Sequence, residues 1–146
     1  GELVITTLRK QGAPLIRFRT HDLTRFILGD CPCGMTFPRI DTLIGRTDDM
    51  VKVHGVNIFP GQIDELLRDA EGASSEYQVM IDHLNGRDIL TLFVEKEPNV
   101  TVALVEASVG NLFKTRIGAS AIIKAVEIGD LPRSEKKSRR IFDNRY

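Results

Sequence analysis

Several features are missing from this chain of 146 residues, and each absence removes a class of protein. No apolar run approaches the roughly 18 to 20 residues that cross a bilayer as a helix, and the opening Gly1-Glu2-Leu3-Val4 lacks a basic segment followed by a long apolar one. The pattern predicts a soluble, cytoplasmic protein without a membrane partner. There are only two cysteines, Cys31 and Cys33, separated by Pro32. That is too few for a secreted disulfide framework and too tight for an ordinary structural disulfide. Net charge is also lacking: 20 basic residues balance 20 acidic ones, which argues against nucleic acid as the main partner of the whole chain. The strand-like runs offer no evident pair of exposed aromatics for base stacking, and Phe93 lies in an apolar run that reads as core.

What is present is enough for a packed interior. With 42% hydrophobic and 27% charged residues, the chain is globular in composition, with room for one domain of usual size or two small ones. Its charge is unevenly spread. From Arg133 to Tyr146 there are six Lys/Arg against Glu135 and Asp143, a local net of +4, so the other 132 residues are net negative by four. The densest part, Arg133-Ser134-Glu135-Lys136-Lys137-Ser138-Arg139-Arg140, follows Pro132 and invites an anion.

The hydrophobic pattern changes near Gly45. Residues 3–8, 15–20 and 23–28 are short β-branched or aromatic runs divided by Gly12, Pro14 and the His21-Asp22 pair, and they predict strands of a small sheet. Beyond Gly45 the pattern predicts a strand at about 50–54, then a helix opening at Pro60 with Ile63, Leu66, Leu67 and Ala70 on one stripe. A strand at about 77–82 turns at Asn85-Gly86 into Ile89-Leu90-Thr91-Leu92-Phe93-Val94, apolar enough for an inner strand. Val102, Val105, Val109, Leu112, Phe113 and Ile117 mark a second helix stopped by Gly118, and residues 121–128 a last long strand. The fold expected is α+β: a small β part followed by a split β-α-β-β-α-β domain with both helices on one face of the sheet. The expected division is 1–44 as strands at the edge of a larger domain, 45–49 as a hinge, and 50–146 as a mobile carboxy-terminal domain. About 43 residues of short strands make a poor core alone, so the chain reads as a piece of a longer protein.

Four patterns now stand in order: Arg17-Phe18-Arg19-Thr20-His21-Asp22-Leu23; Gly45-Arg46-Thr47-Asp48-Asp49-Met50-Val51-Lys52-Val53-His54-Gly55; Asn57-Ile58-Phe59-Pro60-Gly61-Gln62-Ile63-Asp64-Glu65; and Leu131-Pro132-Arg133-Ser134-Glu135-Lys136-Lys137. Together they resemble the carboxy-terminal part of the adenylate-forming acyl- and aryl-CoA ligases, most closely the phenylacetate-CoA ligase family, over nearly the whole chain.

The resemblance implies roles, and elementary chemistry supplies a reason for each. Asp22 matches the ribose-binding aspartate; an ionised carboxylate accepts at two oxygens and so suits two hydroxyls. Without the family, a turn aspartate bonded to its own backbone would be the favoured reading. Relatives often carry Gly or Arg at the position of His21. Arg46 offers nucleotide oxygens a planar donor fork, and Asp48 matches the hinge on which the small domain swings between its two catalytic poses; an ordinary interdomain turn is the plainer reading of both. Gly55 and Asn57 match a segment that lines the pantetheine tunnel during thioester formation, with Gly55 allowing close backbone approach. Asp64 and Glu65 suit the start of their helix and are assigned to structure, and His54 and His83 to surface or packing.

Lys137 aligns with the catalytic lysine of adenylation, a mobile cation placed where charge accumulates as a carboxylate attacks phosphorus. Lys136 stands where the family has glycine, which puts a second ammonium beside the first. The Cys31-Pro32-Cys33-Gly34 run resembles a cysteine pair found in many phenylacetate-type ligases. Two thiolates are half a tetrahedral zinc set, with His21 a third candidate, so any remaining ligands are expected outside this chain. The reaction implied uses ATP, Mg2+, coenzyme A and a carboxylic acid, arylacetic by resemblance, with the amino-terminal domain of the same protein as partner. A homodimer is left open. The isolated chain is expected to be inactive. The competing readings are a non-catalytic α+β module binding RNA or a small ligand through its basic tail, and a structural subunit that needs a separate large-domain partner.

Overall fold

The structure is a computed structural model that describes residues 1–133 and 140–145. It separates into two compact units, Gly1–Met50 and Val51–Tyr146.

In the first unit, β1 (Glu2–Ile5), β2 (Phe18–Leu23) and β5 (Gly45–Arg46) form an antiparallel sheet in the order β1-β2-β5, and β3 (Phe26–Ile27) pairs with β4 (Arg39–Ile40). The strands differ from the sequence pattern at one informative place. The His21-Asp22 pair, read as a divider between strands, lies inside β2. His21 takes φ 67°, and the register with β1 shifts between Glu2 and Val4. Such a bulge absorbs extra residues and re-aims the side chains that follow it. Only Thr24 is buried in residues 1–50, while Leu8, Ile16, Phe26, Leu28 and Phe37 are exposed.

The second unit has a true core. A hairpin of β6 (Val51–Val53) and β7 (Val56–Ile58) leads into α1 (Pro60–Asp69). Pro60 opens the helix where its missing N–H is not needed, and the Gln62 side chain accepts a bond from the Phe59 amide at 3.0 Å. Ile63, Leu66 and Leu67 recur at helical spacing and are all buried. Next come β8 (Ala73–Leu84) and β9 (Arg87–Lys96), antiparallel partners joined at Asn85-Gly86. Both turn residues have positive φ, 52° and 75°, as a two-residue turn matched to strand twist requires. Period-two alternation sends Tyr77, Val79 and Ile81 of β8 to the same face as their register partners Val94, Leu92 and Leu90 of β9.

Helix α2 (Val102–Leu112) continues through a π-helical turn, Phe113–Ile117, and stops at Gly118 in the left-handed region. Helix α1 packs on β8, α2 on β10 (Ile122–Val126), and the helices touch each other. Val105, Val109, Phe113 and Ile117 join the strand and α1 residues in one cluster. The protein is thus α+β as expected.

The sheet order is β10-β9-β8-β11, with β9 an inner strand as its composition predicts. The fourth strand is one the sequence pattern does not reveal: β11 (Ile141–Asp143), parallel to β8. The segment at 51–53 pairs instead within its own hairpin, and the strand expected at 121–128 shortens to Ile122–Val126. Phe93, expected in the core, lies on the other face of β9, half-buried, with Lys124 Nζ 5.6 Å from its ring centroid.

Candidate functional site

Three of the candidate residues meet in the first unit. Strand pairing sets Asp22 of β2 directly opposite Arg46 of β5. The Arg46 guanidinium grips Asp48 as a fork, Nε to Oδ1 at 3.0 Å and Nη2 to Oδ2 at 2.7 Å. Its Nη1 donates to the Thr20 carbonyl at 3.1 Å and reaches Asp22 Oδ1 at 3.5 Å. Asp49 Oδ2 lies 3.6 Å from Nε. The Asp48 carboxyl is held below the ordinary carboxylate value, first by the hydrogen bond from Arg46. One guanidinium therefore organises three carboxylates, and both Asp22 and Arg46 are partly open to solvent.

The bulge fixes the aim of Asp22. Thr20 Oγ1 donates to the Leu3 carbonyl and accepts from the Asp22 amide, while the Glu2 carboxylate accepts from the His21 amide. Glu2 is itself paired with Arg19. The sequence pattern points to Asp22, Arg46 and Asp48 but carries no signal for this bracing, which depends on β1 lying beside β2. The left-handed conformation at residue 21 is one that a glycine would adopt without strain.

In the second unit, Gly55 and Asn57 belong to the β6–β7 hairpin. His54 and Gly55 form its turn with φ 50° and 82°. A Cβ added at Gly55 would meet nothing within 4 Å, so within this chain it is the turn conformation, not a close neighbour, that calls for glycine. Asn57 pairs with Lys52, and both face solvent while Val53 and Ile58 are buried. The hairpin is tied to its own unit: His54 Nε2 donates to the Asp88 carbonyl at 2.8 Å, and Arg145 Nη1 to the Lys52 carbonyl at 3.0 Å. An open groove of about 1090 Å³ runs beside it, lined among others by Lys52, His54, Gly55 and Arg87.

The cysteines lie with Sγ atoms 2.8 Å apart, Cys33 exposed. The Cys33 thiol is pulled below its ordinary value by Cys31 first and the Met35 backbone second. His21, the third zinc candidate, is engaged with Thr47 Oγ1 at 3.3 Å and Glu2 Oε1 at 3.6 Å. Among the described residues no three His, Cys, Asp or Glu side chains form a metal-ligand group; a tetrahedral zinc set needs four ligands. Lys137, with its neighbour Lys136, lies outside the described residues. Nor is any helix of the described residues long and apolar enough to cross a membrane.

The flanks of the basic segment are described, and both are pinned. Arg133 Nη2 donates to the buried Glu95 at 3.0 Å. On the other side, Arg140 Nη1 donates to Asp64 at 2.6 Å and its guanidinium lies over the Tyr77 ring. Asp64 and Glu65 lie beyond the first turn of α1, which holds no acidic residue, so the helix start does not account for them as expected; Asp64 instead takes part in a long-range ion pair.

This two-unit α+β chain has counterparts among known proteins. Residues 55–145 match the family described as AMP-binding enzyme C-terminal domain, and the chain belongs to that family. It is similar to the phenylacetate-coenzyme A ligase of Escherichia coli (strain K12), 38% identical over 99% of this chain and 34% of that protein. A crystal structure of 2-hydroxyisobutyryl-CoA ligase in the postadenylation state superposes with a TM-score of 0.82, at 32% identity, over 99% of this chain and 32% of that one. The same ligase in its thioesterification state, with 2-HIB-AMP and CoA, superposes at 0.62 over the same shares. The chain spans about a third of the length of the relatives it matches.

Proposed function

We propose that this chain is the carboxy-terminal part of an AMP-forming carboxylic acid–CoA ligase acting on phenylacetate or a related aryl acid. The observation that carries the reading is the Asp22–Arg46–Asp48 cluster, brought together by the β2–β5 pairing in a chain that continues into the matched family domain.

In the first half-reaction a carboxylate oxygen of the acid attacks the α-phosphorus of ATP. The bond from that phosphorus to the bridging oxygen breaks, and pyrophosphate leaves. Asp22 accepts from the ribose hydroxyls, Arg46 faces the nucleotide, and Lys137 neutralises charge gathering on the phosphoryl oxygens. Magnesium accompanies the triphosphate. In the second half-reaction the CoA sulfur attacks the acyl carbon, the carbon–oxygen bond to AMP breaks, and the thioester forms. Gly55 and Asn57 then line the pantetheine path.

Asp48 is read as the hinge that lets one small domain serve both steps, with residues 1–44 belonging to the large domain and 50–146 to the mobile one. Its place close before Met50, where the first compact unit ends, supports this, as does the relative crystallised in two catalytic states. The exposed Leu8, Ile16, Phe26, Leu28 and Phe37 are read as surface covered by the adenylation domain. The enzyme works in the cytoplasm, where ATP and CoA are supplied, and this chain alone is inactive.

The test uses the full-length protein with ATP, magnesium and a panel of aryl and aliphatic acids. Pyrophosphate release and thioester formation from pre-made acyl-adenylate are followed separately, in wild type and Lys137→Ala. Acid-dependent pyrophosphate release that the substitution cuts by roughly 100-fold or more, with the second step retained, is expected. Absence of release with every acid would overturn the reading.

A further inference from the structure

Glu95 has a role that neither packing nor the reaction scheme accounts for. It sits on β9 beside Val94, but on the opposite face of the sheet from the helix core, and it is 0% exposed. Burying a carboxylate is costly unless several donors replace its water. Among the described residues its donors come from one short stretch of chain. Oε1 accepts from the amides of Gly129 at 2.9 Å and Leu131 at 3.3 Å, and Oε2 from Arg133 Nη2 at 3.0 Å. Leu131 is buried beside it, and a turn in which the Glu127 amide donates to Asp130 Oδ2 leads into the stretch. Residues 129–133 are thereby bound to the end of the inner strand β9 through one carboxyl group, immediately before the segment that carries Lys137. After that segment, Arg140 is bound to Asp64 on α1.

We propose that Glu95 is a positioning residue for the adenylation half-reaction, setting the approach of the Lys137 segment through Arg133 and the amides of Gly129 and Leu131. This rests on the assignment of Lys137 above. A small misplacement of a reacting cation is costly because the transition state demands one geometry. The thioester step does not use that lysine, so an error in its placement falls on the first step alone.

The experiment compares full-length Glu95→Gln, Arg133→Gln, Arg133→Lys and the Glu95→Gln/Arg133→Gln double variant in the same two assays. Arg133 is 61% exposed on its side chain, so its variants keep the buried carboxylate and its two amide donors and test the idea even where Glu95→Gln folds poorly. Adenylation is expected to fall by roughly 10- to 100-fold in both glutamine variants, with thioester formation from acyl-adenylate close to wild type. Arg133→Lys should restore part of the loss, and the double variant should be no worse than the poorer single one, as coupled residues behave. Equal losses in both half-reactions, or unchanged adenylation in Arg133→Gln, would overturn the proposal. If Lys137→Ala loses adenylation while the Glu95 and Arg133 variants keep it, this proposal fails and the lysine assignment stands; if Lys137→Ala also keeps it, both fail.

Discussion

The Arg140 guanidinium lies 4.8 Å from the centroid of the Tyr77 ring, joining the chain after the basic segment to the strand at the middle of the second unit. The same guanidinium donates to Asp64 and lies 3.8 Å from Glu76, while Tyr77 donates its hydroxyl to the Pro60 carbonyl at 3.1 Å. Stack, ion pair and helix start are one assembly.

Arg140→Lys keeps the charge but loses the planar stack and fork. A loss of about 1 kcal/mol in unfolding free energy is expected from a half-desolvated cation–π contact and its ion pair. Urea unfolding of the 146-residue chain measures it, and a change indistinguishable from zero would show the stack to be idle.

Burial, with Asp64 second, pushes the Tyr77 phenol up from 10.0 to about 12. The folded state holds this proton more tightly than the unfolded chain. Its contribution is therefore complete below about pH 10 and is lost as pH rises toward about 12. Tyr77→Phe should remove that part of the alkaline decline in stability, followed by denaturant midpoints across the range.

At the acid end, Asp88 is lowered by the His83 hydrogen bond first and the Arg145 bond second, and Asp143 by Arg145 first. Arg145 donates to Asp88 Oδ2 at 2.7 Å and to Asp143 Oδ2 at 2.6 Å, tying β11 to the β8–β9 turn. Depressed carboxyl values mean stability that is present above the ordinary 3.8 and lost as pH falls through the lower folded values. Arg145→Leu should flatten the decline of stability between about pH 5 and pH 2.

His21 tests the bulge. At φ 67° a β-branched residue is strained, whereas glycine is not. His21→Val is expected to cost about 1 to 2 kcal/mol, and His21→Gly much less. Comparable losses in both would shift the weight from backbone conformation to the His21–Thr47 contact.

In the full-length protein, Asp22→Ala should lower kcat/KM for ATP by roughly 10- to 100-fold, the loss of hydrogen bonds from two hydroxyls to a charged acceptor. The rate with pre-formed acyl-adenylate at saturation should move less. An unaltered ATP dependence would return Asp22 to the role of a turn residue.

The sequence by itself determined the elements whose signals are local. Pro60 with the Ile63-Leu66-Leu67 stripe specifies α1, Asn85-Gly86 the hairpin, the apolar run 89–94 an inner strand, and Gly118 the end of the second helix. Each follows from a period or a backbone preference that a few neighbouring residues carry. Asp22, Arg46 and Asp48 likewise stand out one by one through their likeness to a family pattern, and the β2–β5 pairing is what brings them together. Only the tertiary structure decided what depends on partners distant in the chain. Ile141–Asp143 is too short to announce itself as a strand, and it becomes one because β8 offers an unpaired edge. His21-Asp22 reads as a break until β1 lies alongside and makes it a bulge. Glu95, one acid in an apolar run, gains its meaning from donors 34 to 38 residues away, because burial and hydrogen bonding are set by what folds over a residue and not by its neighbours in sequence.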